Sequence, residues 1–245
     1  MFILIDGINI YFEKSETQGQ PVLLLHGWGA KGDTMRLLYN SLETQSFCPI
    51  LLDLPYFGSS DPPPEFFTVF DYASIVKKFI ERLELKNLSI VAHSFGARLA
   101  GIIASDKTDK SFIIDKMVLT GAAGLKPKRG IKYRFRVWCY KLRKRLKLNT
   151  KNSGSSDYRQ LPVNMKKVFV SVVNTNLIDY FASITKTKTL LLWGEKDKDT
   201  PLYMAKKLKK LIKNSEIVVL KNCSHYAFID NYTEFNIITN AFLSG

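Results

Sequence analysis

Residues 88–101 read LSIVAHSFGARLAG, and the fold turns on how they are read. Ser89, Ile90, Val91, Ala92 and His93 form a strand-like run that meets Ser94, and a helix-like run follows Phe95 and Gly96. Small residues stand two before and two after the serine (Ala92 and Gly96), as a tight turn from strand to helix requires. Such an elbow lifts the hydroxyl clear of the sheet and aims the next backbone N–H groups at the same point. Gly is the usual residue at the first small position, and Ala92 leaves the steric argument intact. Taken alone, the stretch reads equally well as a serine capping a helix after a strand.

The flanking chain favours the elbow. Phe2–Ile5 and Ile8–Phe12 flank Asp6-Gly7, a hairpin signal. Val22–Leu25 is a continuous apolar run ending at His26-Gly27-Trp28-Gly29, as expected of a strand buried on both faces of a parallel sheet. A helix over about 33–45 leads to a strand at Ile50–Leu54 and then to the loop Asp53-Leu54-Pro55 with Gly58-Ser59-Ser60. From about Asp71 to Leu85, Tyr72, Ile75, Val76, Phe79, Ile80 and Leu83 fall on one helical face. After the elbow, strands are expected at Ile113–Thr120, Thr189–Trp193 and Glu216–Leu220, with helices near Leu202–Lys213 and Tyr232–Phe242. An opening hairpin followed by alternating strands and helices is an α/β pattern with a mostly parallel sheet. The alternation breaks between about Gly121 and Thr189, an interval too long for one βα connection and read as an inserted helical cap.

Composition sets the remaining bounds. The 245 residues suit one domain carrying an insertion, and 46% hydrophobic content excludes wholesale disorder. No apolar run is long enough to cross a bilayer, and the start of the chain does not read as a signal peptide. Cys48, Cys139 and Cys223 show no CxxC spacing, so neither a disulfide framework nor a zinc site is expected, and a cytoplasmic setting is. The net charge of +14 is unevenly spread: residues 116–156 contain no Asp or Glu, yet hold a dense run of Lys and Arg from Lys126 to Lys151.

In combination these motifs resemble the α/β-hydrolase superfamily, in its capped serine-hydrolase branch, over essentially the whole chain. The resemblance rests on His26-Gly27-Trp28-Gly29, Asp53-Leu54-Pro55 with Gly58-Ser59-Ser60, Ala92–Gly96, Gly194-Glu195-Lys196-Asp197 with Pro201, and Cys223-Ser224-His225. It implies a twisted, mostly parallel sheet flanked by helices, with residues 1–121 and 187–245 as the core and 122–186 as the cap. The order Ser, Asp, His at 94, 197 and 225 is the order that fold uses.

The chemistry follows from the residue types. A serine hydroxyl needs a base beside it, and the chain has three histidines. His26 reads as scaffold in the turn before the oxyanion site. His93, last in its strand, is expected to point away from Ser94. That leaves His225, in a loop between the last strand and the last helix. Asp197 and Asp199 compete to orient it, and the family pattern picks Asp197. The backbone N–H groups of Phe95 and Trp28 are the expected oxyanion donors. Asp53 is expected to serve loop structure. A serine at 94 excludes the dehalogenase and epoxide-hydrolase activities of the fold, which use an aspartate there. No metal cluster, Walker loop or dinucleotide glycine pattern is apparent, so no cofactor is expected.

The cap should set specificity. Residues 130–148 place Ile131, Phe135, Trp138 and Leu142 on one stripe with basic residues around it, and Phe135, Trp138, Tyr158 and Trp28 are candidate pocket residues. The basic surface suits an anionic membrane or an acidic partner, and no nucleic acid is expected. The expected activity is hydrolysis of a small-to-medium carboxylic ester through an acyl-enzyme. Three alternatives stand beside it. One is a meta-cleavage-type carbon–carbon bond hydrolase. Another is an acyl-carrier-linked ester hydrolase, since the HGWG turn resembles that of the biotin-pathway esterase. The third is a non-catalytic ligand-binding protein of the same fold.

Overall fold

The computed structural model describes residues 1–64, 66–106, 108, 111–126, 158 and 161–245. Eight strands form one sheet: β1 (Phe2–Ile5), β2 (Ile8–Lys14), β3 (Pro21–Leu25), β4 (Cys48–Leu52), β5 (Asn87–His93), β6 (Ile113–Thr120), β7 (Lys188–Gly194) and β8 (Ser215–Leu220). Their spatial order is β1-β2-β4-β3-β5-β6-β7-β8. The β1–β2 and β2–β4 pairs are antiparallel and the others parallel. Among the described residues the helices are α1 (Arg36–Thr44), α2 (Val69–Arg82), α3 (Phe95–Ser105), α4 (Val163–Asn174), α5 (Ile178–Ser183), α6 (Leu202–Leu211), α7 (Ala227–Asp230) and α8 (Tyr232–Ser244). This is the mostly parallel α/β sheet that the alternation implies.

Where element boundaries differ from the sequence reading, a local cause is visible. Strand β4 ends at Leu52 rather than Leu54, because the Asp53 side chain turns back to accept N–H groups from Gly32 and Ser59. The first helix begins as a single 3-10 turn at Gly32–Met35. Helix α2 starts at Val69, two residues before the apolar face predicts. Thr68 and Asp71 close its N-terminus reciprocally, side chain to backbone.

The chain divides into two compact units, Met1–Leu125 with Asn176–Gly245, and Lys126–Thr175. In the first, Val22, Leu24, Leu51, Val91, Val118, Leu190, Leu192 and Leu220 of the sheet share a buried cluster with Met35, Leu38 and Leu42 and with Phe235 and Leu243. Strands buried on both faces lack polar alternation for this reason. In the second unit, α4 buries Met165, Val168 and Val172 and exposes Val170 and Val173.

The register positions the site. Leu25 pairs with Ala92, Ala92 with Leu119, and His93 with Thr120. The segments leaving β3, β5 and β6 therefore emerge together at the carboxyl edge of the sheet. Strand β3 has β4 on one side and β5 on the other, so the chain's winding reverses there. In open α/β sheets that crevice is where ligands bind.

Candidate active site

Ser94 occupies the crevice with φ 48° and ψ −102°, a left-handed conformation uncommon for any residue with a Cβ. Its neighbours hold it there. The Ser94 N–H donates to Thr120 O at 3.0 Å, Ser94 O accepts from the Ala123 N–H at 3.2 Å, and the Gly96 N–H donates to His26 O at 3.1 Å. A Cβ at residue 96 would stand 2.4 Å from Leu25 O, so the glycine two after the serine is a steric necessity. Phe95 is the first residue of α3, and a first-turn N–H has no partner within its own helix. Strand alternation does not carry through this turn. His93 and Ser94 flank one spot, since a Cβ on Gly27 would lie 2.9 Å from His93 Cδ2 and 3.4 Å from Ser94 Cβ. The positive φ of Ser94 takes it off the pleat, so strand alternation does not by itself set the direction of its side chain.

His225 and Asp197 meet from separate loops, after β8 and β7. His225 Nδ1 lies 2.9 Å from Asp197 Oδ2, with the Asp197 side chain fully buried and that of His225 11% exposed. Oxygen Oδ1 of Asp197 accepts the N–H groups of Asp199 at 2.9 Å and Thr200 at 2.8 Å, and Oδ2 accepts the Thr200 hydroxyl at 2.8 Å. Burial opposes the charge on Asp197, but the hydrogen bonds from His225 and Thr200 outweigh it and hold the carboxyl below its ordinary range. Asp199 is exposed and contributes its backbone N–H. The loop carrying His225 is tied by Asp230, whose Oδ2 accepts the Ser224 N–H at 2.5 Å and hydroxyl at 2.6 Å.

The two other histidines are buried and neutral. His26 Nδ1 donates to Gly27 O at 2.7 Å, while Nε2 accepts the Leu54 N–H at 3.0 Å, which fixes the tautomer. Burial lowers its pKa to about 4. The ring thus braces the HGWG turn from within. His93 is 1% exposed, and burial, then the neighbouring His225, push its pKa down to about 3. Its Nδ1 lies 3.2 Å from Thr120 O, the carbonyl that also holds the Ser94 N–H. Its ring centroid is 4.6 Å from that of His225 and 4.9 Å from that of Phe228. The residue preceding the serine therefore links the elbow to the His225 loop.

Trp28 is half-buried, with its ring 5.1 Å from both Phe57 and Phe95 in edge-to-face packing. Tyr72 adjoins the same group, 5.1 Å from Phe95. Asp53 holds the loop beside this cluster. Oxygen Oδ1 accepts the Gly32 N–H at 2.6 Å and Oδ2 the Ser59 N–H at 2.8 Å. Tyr158, in the 126–175 unit, has its ring 6.3 Å from Phe169 and 5.5 Å from Lys166 Nζ. Phe135, Trp138 and the basic run from Lys126 to Lys151 lie outside the described residues apart from Lys126 itself.

Sequence spacing gives no metal-ligand pattern, yet the fold brings donor atoms of Asp197, Asp199 and His225 within 4.8 Å of one another. The chemistry of that set argues against an ion. All four lone-pair positions of the Asp197 carboxylate already receive a donor, and His225 Nδ1 is turned toward it. Sequence reading also passed over Thr200. The signal was present, because the N–H groups two and three residues after an Asp commonly fold back onto its side chain.

Residues 20–138 and 127–232 match the family of the alpha/beta hydrolase fold. The chain is 27% identical over 248 residues to the AB hydrolase superfamily protein YisY of Bacillus subtilis, covering 91% of each chain. It is 26% identical over 260 residues to a 2-hydroxy-6-oxo-6-phenylhexa-2,4-dienoate hydrolase of Comamonas testosteroni, covering 92% of this chain and 88% of the other. An esterase from Exiguobacterium antarcticum superposes with a TM-score of 0.80 at 22% identity, over 100% of this chain and 99% of that one.

Proposed function

The chain belongs to the α/β-hydrolase family, and we propose that it is a serine hydrolase cleaving a small-to-medium carboxylic ester through Ser94, His225 and Asp197. One observation carries the reading. The His225 ring, bonded to Asp197 at 2.9 Å, crowds Gly121, the residue after the Thr120 whose carbonyl holds the N–H of Ser94, itself strained at φ 48°. In this reading His225 Nε2 takes the Ser94 proton and the alkoxide attacks the ester carbonyl. The N–H groups of Phe95 and Trp28 receive the oxyanion, and Asp197 stabilises the imidazolium. The alcohol leaves with the proton from His225, and water then releases the acid. The Trp28, Phe57, Phe95 and Tyr72 rings supply an apolar wall for the acyl chain. The interval between β6 and β7 selects the substrate, and the basic run within it meets an acidic partner or an anionic membrane. A cytoplasmic setting, read from the cysteine usage, completes the proposal. The Comamonas relative keeps carbon–carbon hydrolysis as the second reading.

The test is turnover of p-nitrophenyl esters, acetate through decanoate, by wild type and Ser94→Ala, with fluorophosphonate labelling in parallel. A Ser94-dependent rate with a chain-length optimum is expected. Labelling of Ser94 without ester turnover refutes the ester and directs the search to carbon–carbon or carrier-linked substrates. Absence of labelling refutes the enzyme reading in favour of a binding protein.

A further inference from the structure

We propose that Thr200 is a positioning residue of the Asp197–His225 pair, its hydroxyl fixing both the carboxylate and the ring; the inference rests on the triad reading above. Thr200 is 6% exposed and sits three residues after Asp197, before helix α6. It meets the site at three points. Its N–H donates to Asp197 Oδ1 at 2.8 Å, its hydroxyl to Asp197 Oδ2 at 2.8 Å, and its Oγ1 lies 3.3 Å from His225 Nδ1. From behind, the buried Trp193 indole N–H donates to the Thr200 carbonyl at 2.7 Å, anchoring the residue to the last strand turn before the loop.

Proton bookkeeping assigns each atom a role. An ionised carboxylate only accepts, so the hydrogen between Asp197 and His225 is on Nδ1, and the Thr200 hydroxyl hydrogen is on the Oδ2 side. The Oγ1 lone pairs then face His225. The Nδ1–H stands between two acceptors, Oδ2 at 2.9 Å and Oγ1 at 3.3 Å. One acceptor fixes the bond. A second, off to its side, restrains rotation of the ring about that bond. Without the hydroxyl, Oδ2 keeps a single donor in a water-poor site, and the carboxylate is free to pivot about the two N–H groups on Oδ1.

Thr200→Val keeps the side-chain shape and the backbone N–H bond but deletes the hydroxyl, and Thr200→Ser restores it. With the best p-nitrophenyl ester, Thr200→Val is expected to lower kcat about 10-fold with KM within about twofold of wild type. Thr200→Ser should return kcat to within about threefold of wild type. The low-field proton resonance of His225 Nδ1–H, read without substrate, should shift in Thr200→Val and not in Thr200→Ser. Equal kcat in Thr200→Val and wild type overturns the proposal, as does an unmoved resonance. Equal loss in both variants overturns it as well, since the hydroxyl would then not be the agent. A wild type with no Ser94-dependent turnover defeats the triad reading instead, and the resonance still decides whether Thr200 holds His225. Thermal unfolding of both variants separates a misfolded protein from a mispositioned ring.

Discussion

Gly121→Ala isolates the cost of crowding His225. Gly121 follows β6 with φ +53°, and an alanine Cβ there would lie 2.8 Å from both Cε1 and Nδ1 of His225 and 3.2 Å from His93 Cε1. Gly7, in the β1–β2 hairpin, has φ +79° and nothing within 4 Å of its would-be Cβ. Both substitutions incur the left-handed backbone cost of about 1–2 kcal/mol, which for a chain of this size lowers Tm by roughly 2–8 °C. Only Gly121→Ala adds the clash. His93 is enclosed and cannot yield, whereas His225 retains 11% exposure and moves. Restoring ordinary contact displaces the ring by roughly half an ångström, against the roughly 100-fold that a full ångström of misplacement costs catalysis. About a tenfold loss of kcat is therefore expected in Gly121→Ala, and none in Gly7→Ala. Ester turnover and thermal unfolding of the two variants measure both effects. If Gly121→Ala loses Tm like Gly7→Ala yet keeps wild-type kcat, His225 is not held where the reasoning places it.

Other consequences are as direct. Asp197→Asn should lower kcat by about 10³–10⁴, because the amide presents the wrong partner to Nδ1–H, while Asp199→Asn, which keeps its backbone N–H, should stay within about twofold; a steady-state comparison in which Asp199→Asn is the damaged one reverses the assignment. His26 and His93, with pKa values lowered to about 4 and about 3, stay neutral in the folded protein while the unfolded chain protonates them near pH 6.5. Between these values the unfolded state binds more protons, so stability rises with pH and is lost as pH falls from about 6.5, by about 1.4 kcal/mol per unit for each histidine. Urea midpoints from pH 7 to 4.5 measure this, and His93→Phe should remove about half the slope; an unchanged slope refutes the neutral His93. Asp197 acts lower on the scale. Its depressed carboxyl contributes stability above the unfolded value of about 3.9, and that contribution disappears only as pH falls through the folded value.

Much of the fold is written in local pattern. Asp6-Gly7 marks the hairpin, with both residues at positive φ, and the apolar run at 22–25 and the strand-like stretch at 113–120 lie in strands β3 and β6. The face of α2 from Tyr72 to Ile80 is buried as its spacing predicts. The site is less legible. A serine between two small residues can be seen in the chain, but that His93 lies against His225 cannot, since 132 positions separate them and strand alternation relates His93 only to its chain neighbours.

What the sequence determines by itself is the succession of strands and helices and the turns that join them, because side-chain periodicity and turn sterics act over a few residues. Ser94 in its elbow, Gly96 beside it and the loop role of Asp53 belong to that class. Tertiary structure decides which atoms meet across loops. The parallel register of β7 on β8 brings Gly194 level with Leu220, so the two loops that follow run side by side. That alignment gives His225 Nδ1 to Asp197 rather than Asp199 and sets Thr200 against both. Such contacts depend on how far each strand has advanced along its neighbour, a quantity no short stretch of the chain encodes.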